Sequence, residues 1–470
     1  MSTHVIERPV RQIAAALRDG MIGFEDLIDE AVTRHGRYGG ALHAYKHWDA
    51  ERARSEARAV GGLLAAGHDA GPLMGLPVSI KDIYGVAGMP TFAGTPKELP
   101  GKWRTEGPVV AALRHGLAVV MGKTHTVEFA FGAIGLTAHW ETPRNPWDAA
   151  AHRVCGGSSA GAGVSLAEGS AVIAMGTDTG GSVRIPASVT GQVGLKTTAG
   201  RWSTRGIVPL SPTFDTPGPL TRSVEDAAVA FAAIDPAHGD ADALFRQLDS
   251  VGVADLRLGI CDEHFWDGCA PGIAEGVKAA LDELTGKGAR LVRLPFPEAG
   301  EAGRRALHLQ PFGIEGLSVI AEEYPDRMDT LDPNVRVRFD IAREVSAVDY
   351  VTALRALREL GAAAETRLRQ VDVLVAPTVP ITPPTVDEVA TDEAYGRTQA
   401  AMTRNTIPAN LLGLCGLTMP VALDGAGMPV GLQFMAPGGH EERVLAAALA
   451  CERVLGSGRE RLGPPPLCAR

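Results

Sequence analysis

Apolar residues recur at helical spacing through residues 8–70, in IAAALRDGMIGFEDLIDEAV and again in the charged, alanine-rich run DAERARSEARAVGGLLAAG. The pattern predicts surface helices that bury one face, and it assigns residues 1–70 to an N-terminal helical region packed on the core. Beyond residue 70 the pattern changes to short apolar runs bounded by Gly, Pro or charge: LPVSI, GLAVVMGKT, SAVIAMGTD, LRLGICDE, ARLVRLP, VDVLVAPTVP, LTMPVAL and PVGLQFMA. Several alternate with alanine-rich helical stretches, so residues 71–470 read as an α/β domain built on one large, mainly buried sheet. Residues 235–260 and 320–350 are the most polar, and either could hinge two lobes. The proline-rich PITPPTVDEVA, from Pro380, reads as a surface connection.

Composition narrows the class of function. The 470 residues are 45% hydrophobic, enough for a large core, and carry a formal charge of −10. With no dense basic run, the chain lacks the clustered Lys and Arg that phosphate neutralisation needs, which argues against a nucleic-acid partner. No window approaches the length of apolar sequence that spans a membrane. The N-terminus, MSTHVIERPVRQIAAALRDG, interrupts its apolar residues with charge, unlike a signal peptide. Cys155, Cys261, Cys269, Cys415, Cys451 and Cys468 have no C-x-x-C spacing and read as reduced thiols of a cytoplasmic protein.

Three familiar motifs fail on inspection. GLAVVMGKT has five residues between its glycines where a phosphate-binding loop needs four. No H-E-x-x-H or Cys/His cluster suggests a metal, and no cofactor is implied. Gly157, Ser158, Ser159, Ala160 and Gly161 spell the G-x-S-x-G nucleophile elbow, with His308 or His440 as partners for Ser159. That elbow must follow an apolar strand, whereas PRNPWDAAAHRVC precedes it here.

A different constellation holds together. The run AVIAM leads into GTDTGGS and then VRIPASVTG, a strand, a glycine-rich turn and a helix. Such a turn aims consecutive backbone N–H groups at one point, and it places Ser182 beside the amides of Thr179, Gly180 and Gly181. An upstream knot, GGSS, supplies a second hydroxyl where a histidine base would be sought. A hydroxyl can relay a proton but cannot store it, and Lys81, at the end of the strand LPVSI, is a basic group in reach of a sheet-edge pocket.

Together, GLPVSIKDIYGVAGMPT, GGSSAGAG and GTDTGGSVRIPAS, in this order, resemble the amidase signature family of serine hydrolases. The likeness continues through NPWD, GLKTTAGRWSTRGIVPLSPTFDTPGPLTRSVEDAA, NTIPANLLGLCGLTMPVAL and GMPVGLQFMA. It implies a single large domain with a mixed, twisted sheet covered by helices on both faces, residues 71–470 being the amidase signature domain. By motif position it makes Ser182 the acyl-forming nucleophile, Ser158 the bridging serine with a cis peptide bond, and Lys81 the base. Thr179, Gly180 and Gly181 fall at the oxyanion-hole positions, and Asp178 and Arg184 flank the nucleophile to hold the turn in shape. Cys155 stands where proline is frequent, and Ala160 where glycine is. Phe131 falls where relatives place a pocket-lining methionine. Arg338 matches a position that binds a carboxylate in some relatives, a surface salt bridge being the alternative.

The resemblance implies hydrolysis of a small carboxylic amide or ureide, without choosing the substrate. The alternative is the glutamine-hydrolysing subunit of a tRNA-dependent amidotransferase, and a homodimer is expected. The base must be neutral to work. A lysine with an ordinary pKa of ~10.4 pays about 4.6 kcal/mol for neutrality at pH 7, so a dry pocket around Lys81 is expected.

Overall fold

The computed structural model describes residues 4–238 and 241–469. Eleven strands form one sheet: β1 (Tyr45–Trp48), β2 (Pro77–Lys81), β3 (Val119–Thr124), β4 (Ile173–Thr177), β5 (Val193–Lys196), β6 (Pro217–Thr221), β7 (Arg257–Ile260), β8 (Arg290–Arg293), β9 (Val373–Pro377), β10 (Cys415–Leu423) and β11 (Pro429–Ala436). Their spatial order is β1-β3-β2-β4-β6-β5-β10-β11-β9-β7-β8. The sheet is mixed: β3, β2 and β4 run parallel at one end and β9, β7 and β8 at the other, while antiparallel pairs join them through the middle.

All eight apolar runs read from sequence contain a strand of this sheet. Every residue of β2, β3, β4 and β9 is buried, as expected when helices cover both faces and a strand has no solvent side. The polar segment 235–260 ends in β7, which pairs with β9, and segment 320–350 contains helix Pro333–Arg343 with Phe339 buried, so neither separates lobes.

Three strands escape the pattern. β1 lies within residues 1–70, beside the helices α1 (Val10–Arg18), α2 (Phe24–Leu42) and α3 (Ala50–Ala65), and pairs antiparallel with β3. β5 is only VGLK. β6 is PGPLT, whose prolines argue for a loop because they remove ladder donors. It nevertheless pairs with both β4 and β5, and at its centre Gly218 sits opposite Gly176. A Cβ on Gly218 would lie 2.1 Å from the Leu195 carbonyl oxygen, so glycine is what permits this close approach.

The parallel strands position the site. In register, Lys81 lies opposite Thr124 of β3, and Ile80 opposite Met175 of β4. The carboxyl ends of β2, β3 and β4 therefore reach one edge together, where α/β folds commonly place ligands. Two further short helices start there: α4 (Ala162–Glu168), after the GGSS loop, and α5 (Arg184–Val189), after GTDTGGS.

The GGSS loop is anchored to the first strands by backbone contacts: Gly161 N–H donates to His125 O (3.0 Å) and His125 N–H to Ala44 O (3.0 Å). A Cβ on Gly161 would sit 2.0 Å from Ala44 O, an obstacle that only backbone movement can relieve. Gly161→Ala is expected to destabilise the protein by about 1–3 kcal/mol through overpacking. A urea denaturation midpoint equal to that of the wild type would show that this junction yields without cost.

Candidate active site

Lys81 closes β2 with its side chain fully buried. Its Nζ donates to Ser158 Oγ at 2.7 Å and to Thr177 Oγ1 at 2.8 Å. Among the described residues it forms no salt bridge. Burial lowers its pKa to about 7, against the raising influence of Asp215 and Asp178. The amine is thus nearly balanced between its charged and neutral forms near neutral pH, and once neutral it can accept from Ser158 instead of donating.

Ser158 is held by a loop that needs its glycines. The Gly157–Ser158 peptide is cis. Gly157 N–H donates to Ala133 O at 2.7 Å, and a Cβ on Gly157 would press on Gly132 O and Gly135 N at 2.9 Å. The Ser158 carbonyl accepts from Val127 N at 3.1 Å and Ala160 N at 2.8 Å. Ser159 turns elsewhere: its Oγ lies 3.4 Å from both the N–H and the carbonyl of Thr177 and braces β4. His440 Nδ1 sits against Gly438 O at 3.1 Å, and the side chain of His308 lies outside the described residues. Ser159 therefore has no histidine partner among the described residues, and its hydroxyl is engaged with the Thr177 backbone instead.

The turn carrying Ser182 is shaped from beneath by a buried ion pair. Asp178 Oδ1 accepts from Gly181 N (2.8 Å), Asn410 Nδ2 (2.8 Å) and Arg184 Nη2 (3.0 Å). Its Oδ2 accepts from Arg184 Nε (3.0 Å) and Val183 N (3.2 Å). Arg184 is completed by Gln433 Oε1 (2.6 Å) and Asn410 Oδ1 (2.7 Å). Burial by itself would raise the Asp178 carboxyl, but Arg184, with Lys196 and Asn410, holds it well below the carboxylate range. Both residues therefore shape the turn, as their flanking positions suggest. Gly181 has φ +127, and a Cβ there would lie 2.2 Å from Thr406 Oγ1.

This geometry distinguishes the three turn amides. The Gly181 N–H is already engaged by Asp178. Among the described residues, the N–H groups of Thr179, Gly180 and Ser182 have no protein acceptor. Ser182 Oγ likewise has none, and the structure contains no hydrogen bond between Ser158 and Ser182.

Ser182, Thr179 and Gly180 line a cavity of about 610 Å³. Phe131 and Arg338 line it too. The Arg338 guanidinium lies over the Phe131 ring at 3.5 Å and donates from Nη1 to Phe131 O at 2.8 Å. It forms no salt bridge among the described residues, so the surface-salt-bridge alternative is set aside. Burial lowers its pKa to about 10, with Tyr395 opposing. Cys155 is buried, donates to Pro143 O at 3.0 Å, and has its pKa pushed well up by burial, the condition of an inert thiol.

Three site residues were not singled out from the sequence. Thr177 ends β4 and gives Lys81 its second partner. Thr406 Oγ1 donates to Gly180 O at 2.8 Å. Asp215, inside SPTFDTPGP, accepts from Thr179 Oγ1 at 2.6 Å. An Asp between turn formers carries no signal of a site, because its local partners, the Leu210 and Ser211 amides, are those of an ordinary turn and only Thr179 ties it to the Ser182 turn. Among the described residues no group of three or more His, Cys, Asp or Glu could hold a metal, and no helix is long and apolar enough to cross a membrane.

Comparison with known proteins agrees across nearly the whole chain. The family model described as Amidase matches residues 26–445. The 2-amino-5-chloromuconic acid deaminase of Comamonas testosteroni is 50% identical over 454 residues, covering 97% of each chain. A glutamyl-tRNA(Gln) amidotransferase subunit from Salinispora arenicola (strain CNS-205) is more distant, 34% identical over 452 residues, covering 88% of this chain and 90% of that one. An amidase crystal structure superposes with a TM-score of 0.85 at 32% identity, covering 96% of this chain and 100% of the other. Sequence, fold and comparison converge: the chain belongs to the amidase family and is a hydrolase acting on C–N bonds.

Proposed function

We propose that this amidase cleaves the C–N bond of a small substrate bearing a carboxylate, with Ser182 as nucleophile and Ser158 and Lys81 as its proton relay. The observation that carries the assignment is the hydrogen bond from a fully buried, carboxylate-free lysine to Ser158, in a fold whose neighbouring turn lines a cavity with Ser182, a serine without a hydrogen-bond partner among the described residues. Ser182 Oγ adds to the electrophilic carbon while its proton passes to Ser158 and the Ser158 proton to neutral Lys81. The same path runs backwards to protonate the departing nitrogen, which leaves as ammonia or an amine. Water then repeats the addition and releases Ser182. The Ser182-to-Ser158 contact must close in the substrate complex, as catalytic hydrogen bonds often do.

Developing negative charge on the substrate would be received by the unpaired amides of Thr179 and Gly180, with that of Ser182 available beside them. Gly181 stays part of the proposed hole through its shape, since its own N–H is committed to Asp178.

Arg338 supports the choice of substrate class, because a half-buried guanidinium with no salt bridge among the described residues, lining the cavity that holds Ser182, suits a carboxylate. The name of the Comamonas relative points the same way: its substrate is a conjugated diacid bearing an amino group. On such a molecule the relay would act at the amino-bearing carbon instead of an acyl carbon. The reduced compartment and the homodimer belong to the same proposal. Six free cysteines, five of them buried, support a cytoplasmic setting, and light scattering on the purified chain tests the dimer.

Ammonia release from a panel of small carboxamides, ureides, glutamine and 2-aminomuconate tests the substrate class, and activity confined to uncharged amides would refute the carboxylate requirement. Ser182→Ala should abolish turnover, and Lys81→Ala and Ser158→Ala should each retain less than about a hundredth of wild-type kcat. Near-normal rates in either relay variant would remove that residue from the mechanism. Because deprotonation activates Lys81, kcat/KM should rise about tenfold per pH unit below a midpoint near 7 and level off above it; a flat profile from pH 5.5 to 8.5 would contradict the neutral-amine base. Arg338→Ala should raise KM for a carboxylate substrate by about tenfold or more, the loss of one charge-assisted hydrogen bond, and leave uncharged amides little changed. Equal effects on both substrate types would show that Arg338 serves packing alone.

A further inference from the structure

Beneath the Ser182 turn, the pairing of β4 with β6 continues past the strand ends. Thr177 lies opposite Pro217. Asp178 N–H then donates to Thr216 O at 2.7 Å, while Thr216 Oγ1 donates back to Asp178 O at 2.7 Å. One step further, Thr179 Oγ1 donates to Asp215 Oδ1 at 2.6 Å. Two threonines, two residues apart, thus project to the same side of this ladder: Thr177 binds Lys81, and Thr179 binds Asp215. The Asp215 carboxylate is buried and fixed at its other oxygen by the amides of Leu210 (2.9 Å) and Ser211 (3.0 Å).

Resting on the Ser182–Ser158–Lys81 assignment above, we propose that Asp215 is a positioning residue of the reaction: its carboxylate clamps Thr179, a cavity-lining residue whose amide has no acceptor among the described residues, and supplies a negative charge across the ladder from Lys81. The clamp fixes the direction of the Thr179 N–H before substrate arrives, so less reorganisation is needed as charge develops. The charge acts on the relay in the other direction, favouring the protonated amine and so limiting how far burial can lower its pKa.

The ionisable groups around Lys81 have separate commitments. Asp178 also favours the ammonium form, but its charge is neutralised by Arg184, which it bonds through both oxygens. Asp82, next along the chain, pairs with Lys123 Nζ at 3.0 Å. The Tyr84 hydroxyl donates to Gly176 O at 2.6 Å and is kept neutral by burial and by Asp215. Lys196, beyond Asp178, donates to the carbonyls of Thr197 (2.9 Å) and Leu414 (2.8 Å). Asp215 has no cationic partner in hydrogen-bond contact among the described residues. Burial raises its carboxyl to about 6, against the Thr179, Ser211 and Leu210 hydrogen bonds and the charge of Lys81.

Two substitutions separate the clamp from the charge. Asp215→Asn can keep its oxygen on the Leu210 and Ser211 amides and turn its NH₂ to Thr179 Oγ1, so it removes the charge at nearly constant shape. Its acid limb in kcat/KM should move to lower pH by at least half a unit, since loss of a nearby negative charge lowers the pKa of Lys81. Thr179→Val breaks the clamp and leaves the Asp215 carboxyl in place, and should lower the plateau kcat, read at alkaline pH where Asp215 is ionised, at least tenfold. A limb that stays within 0.2 units of wild type, or rises, in Asp215→Asn, or a kcat within twofold of wild type in Thr179→Val, would overturn the proposal. Should Asp215→Asn fail to fold by circular dichroism, Thr179→Val decides alone. Lys81→Ala separates the two levels: if it stays active the relay itself is wrong, whereas an inactive Lys81→Ala beside an unmoved limb in Asp215→Asn removes only the role of Asp215.

Discussion

An amine held away from water, with hydroxyls as its partners, is the constraint on which this site depends. Lys81 meets Ser158 and Thr177 and no carboxylate. A direct carboxylate partner would oppose the effect of burial and favour the ammonium form, as Asp82 does at 3.0 Å from Lys123 one strand away, although burial still leaves the pKa of Lys123 lowered there. The two buried lysines end or line adjacent strands, β2 and β3, yet their partners make one an ion-pair member and the other a candidate base. Burial lowers both, and the partner decides whether a neighbouring hydroxyl or a carboxylate receives the amine.

Such burial requires a rigid surround. The sheet provides it by bringing three parallel strand ends to one edge, and the Asp178–Arg184 pair provides it by bonding the Ser182 turn to β11 through Gln433 and to the helix Ile407–Leu411 through Asn410. A buried ion pair contributes little net stability as a rule, because desolvation offsets attraction. Its worth here is conformational: six hydrogen bonds converge on one carboxylate and leave the turn a single shape, with selected amides unpaired.

The cavity combines this hydrolytic corner with a recognition corner contributed by distant sequence. Phe131 follows the tight turn at Phe129 and Ala130, both at positive φ, and Arg338 comes from a helix two hundred residues on. Their stacking places a guanidinium in a chamber that Arg304 and Arg404 also line. Membership of the amidase family sets the reaction class, and contacts of this kind set what is admitted to it.

Local sequence carried much of this. Eight of the strands were legible as apolar runs, the central ones because helices cover both their faces, while β8 shows the same kind of run largely exposed at the sheet edge; the serines, the lysine and the glycine-rich turns stood out as motifs whose backbone demands are local. What escaped was whatever depends on partners far along the chain. β6 carries two prolines that argue for a loop, yet it pairs with β4 and β5, the close approach of β5 being permitted by the absence of a side chain at Gly218. The third turn amide, Gly181, looked equivalent to its neighbours until Asp178 was seen to occupy it. Asp215, Thr406 and the unpaired state of Arg338 left no local trace. The sequence by itself determined where most of the strands lie and which groups can react; tertiary structure decided which of them are dry, paired or free, because desolvation and hydrogen bonding are properties of neighbours in space.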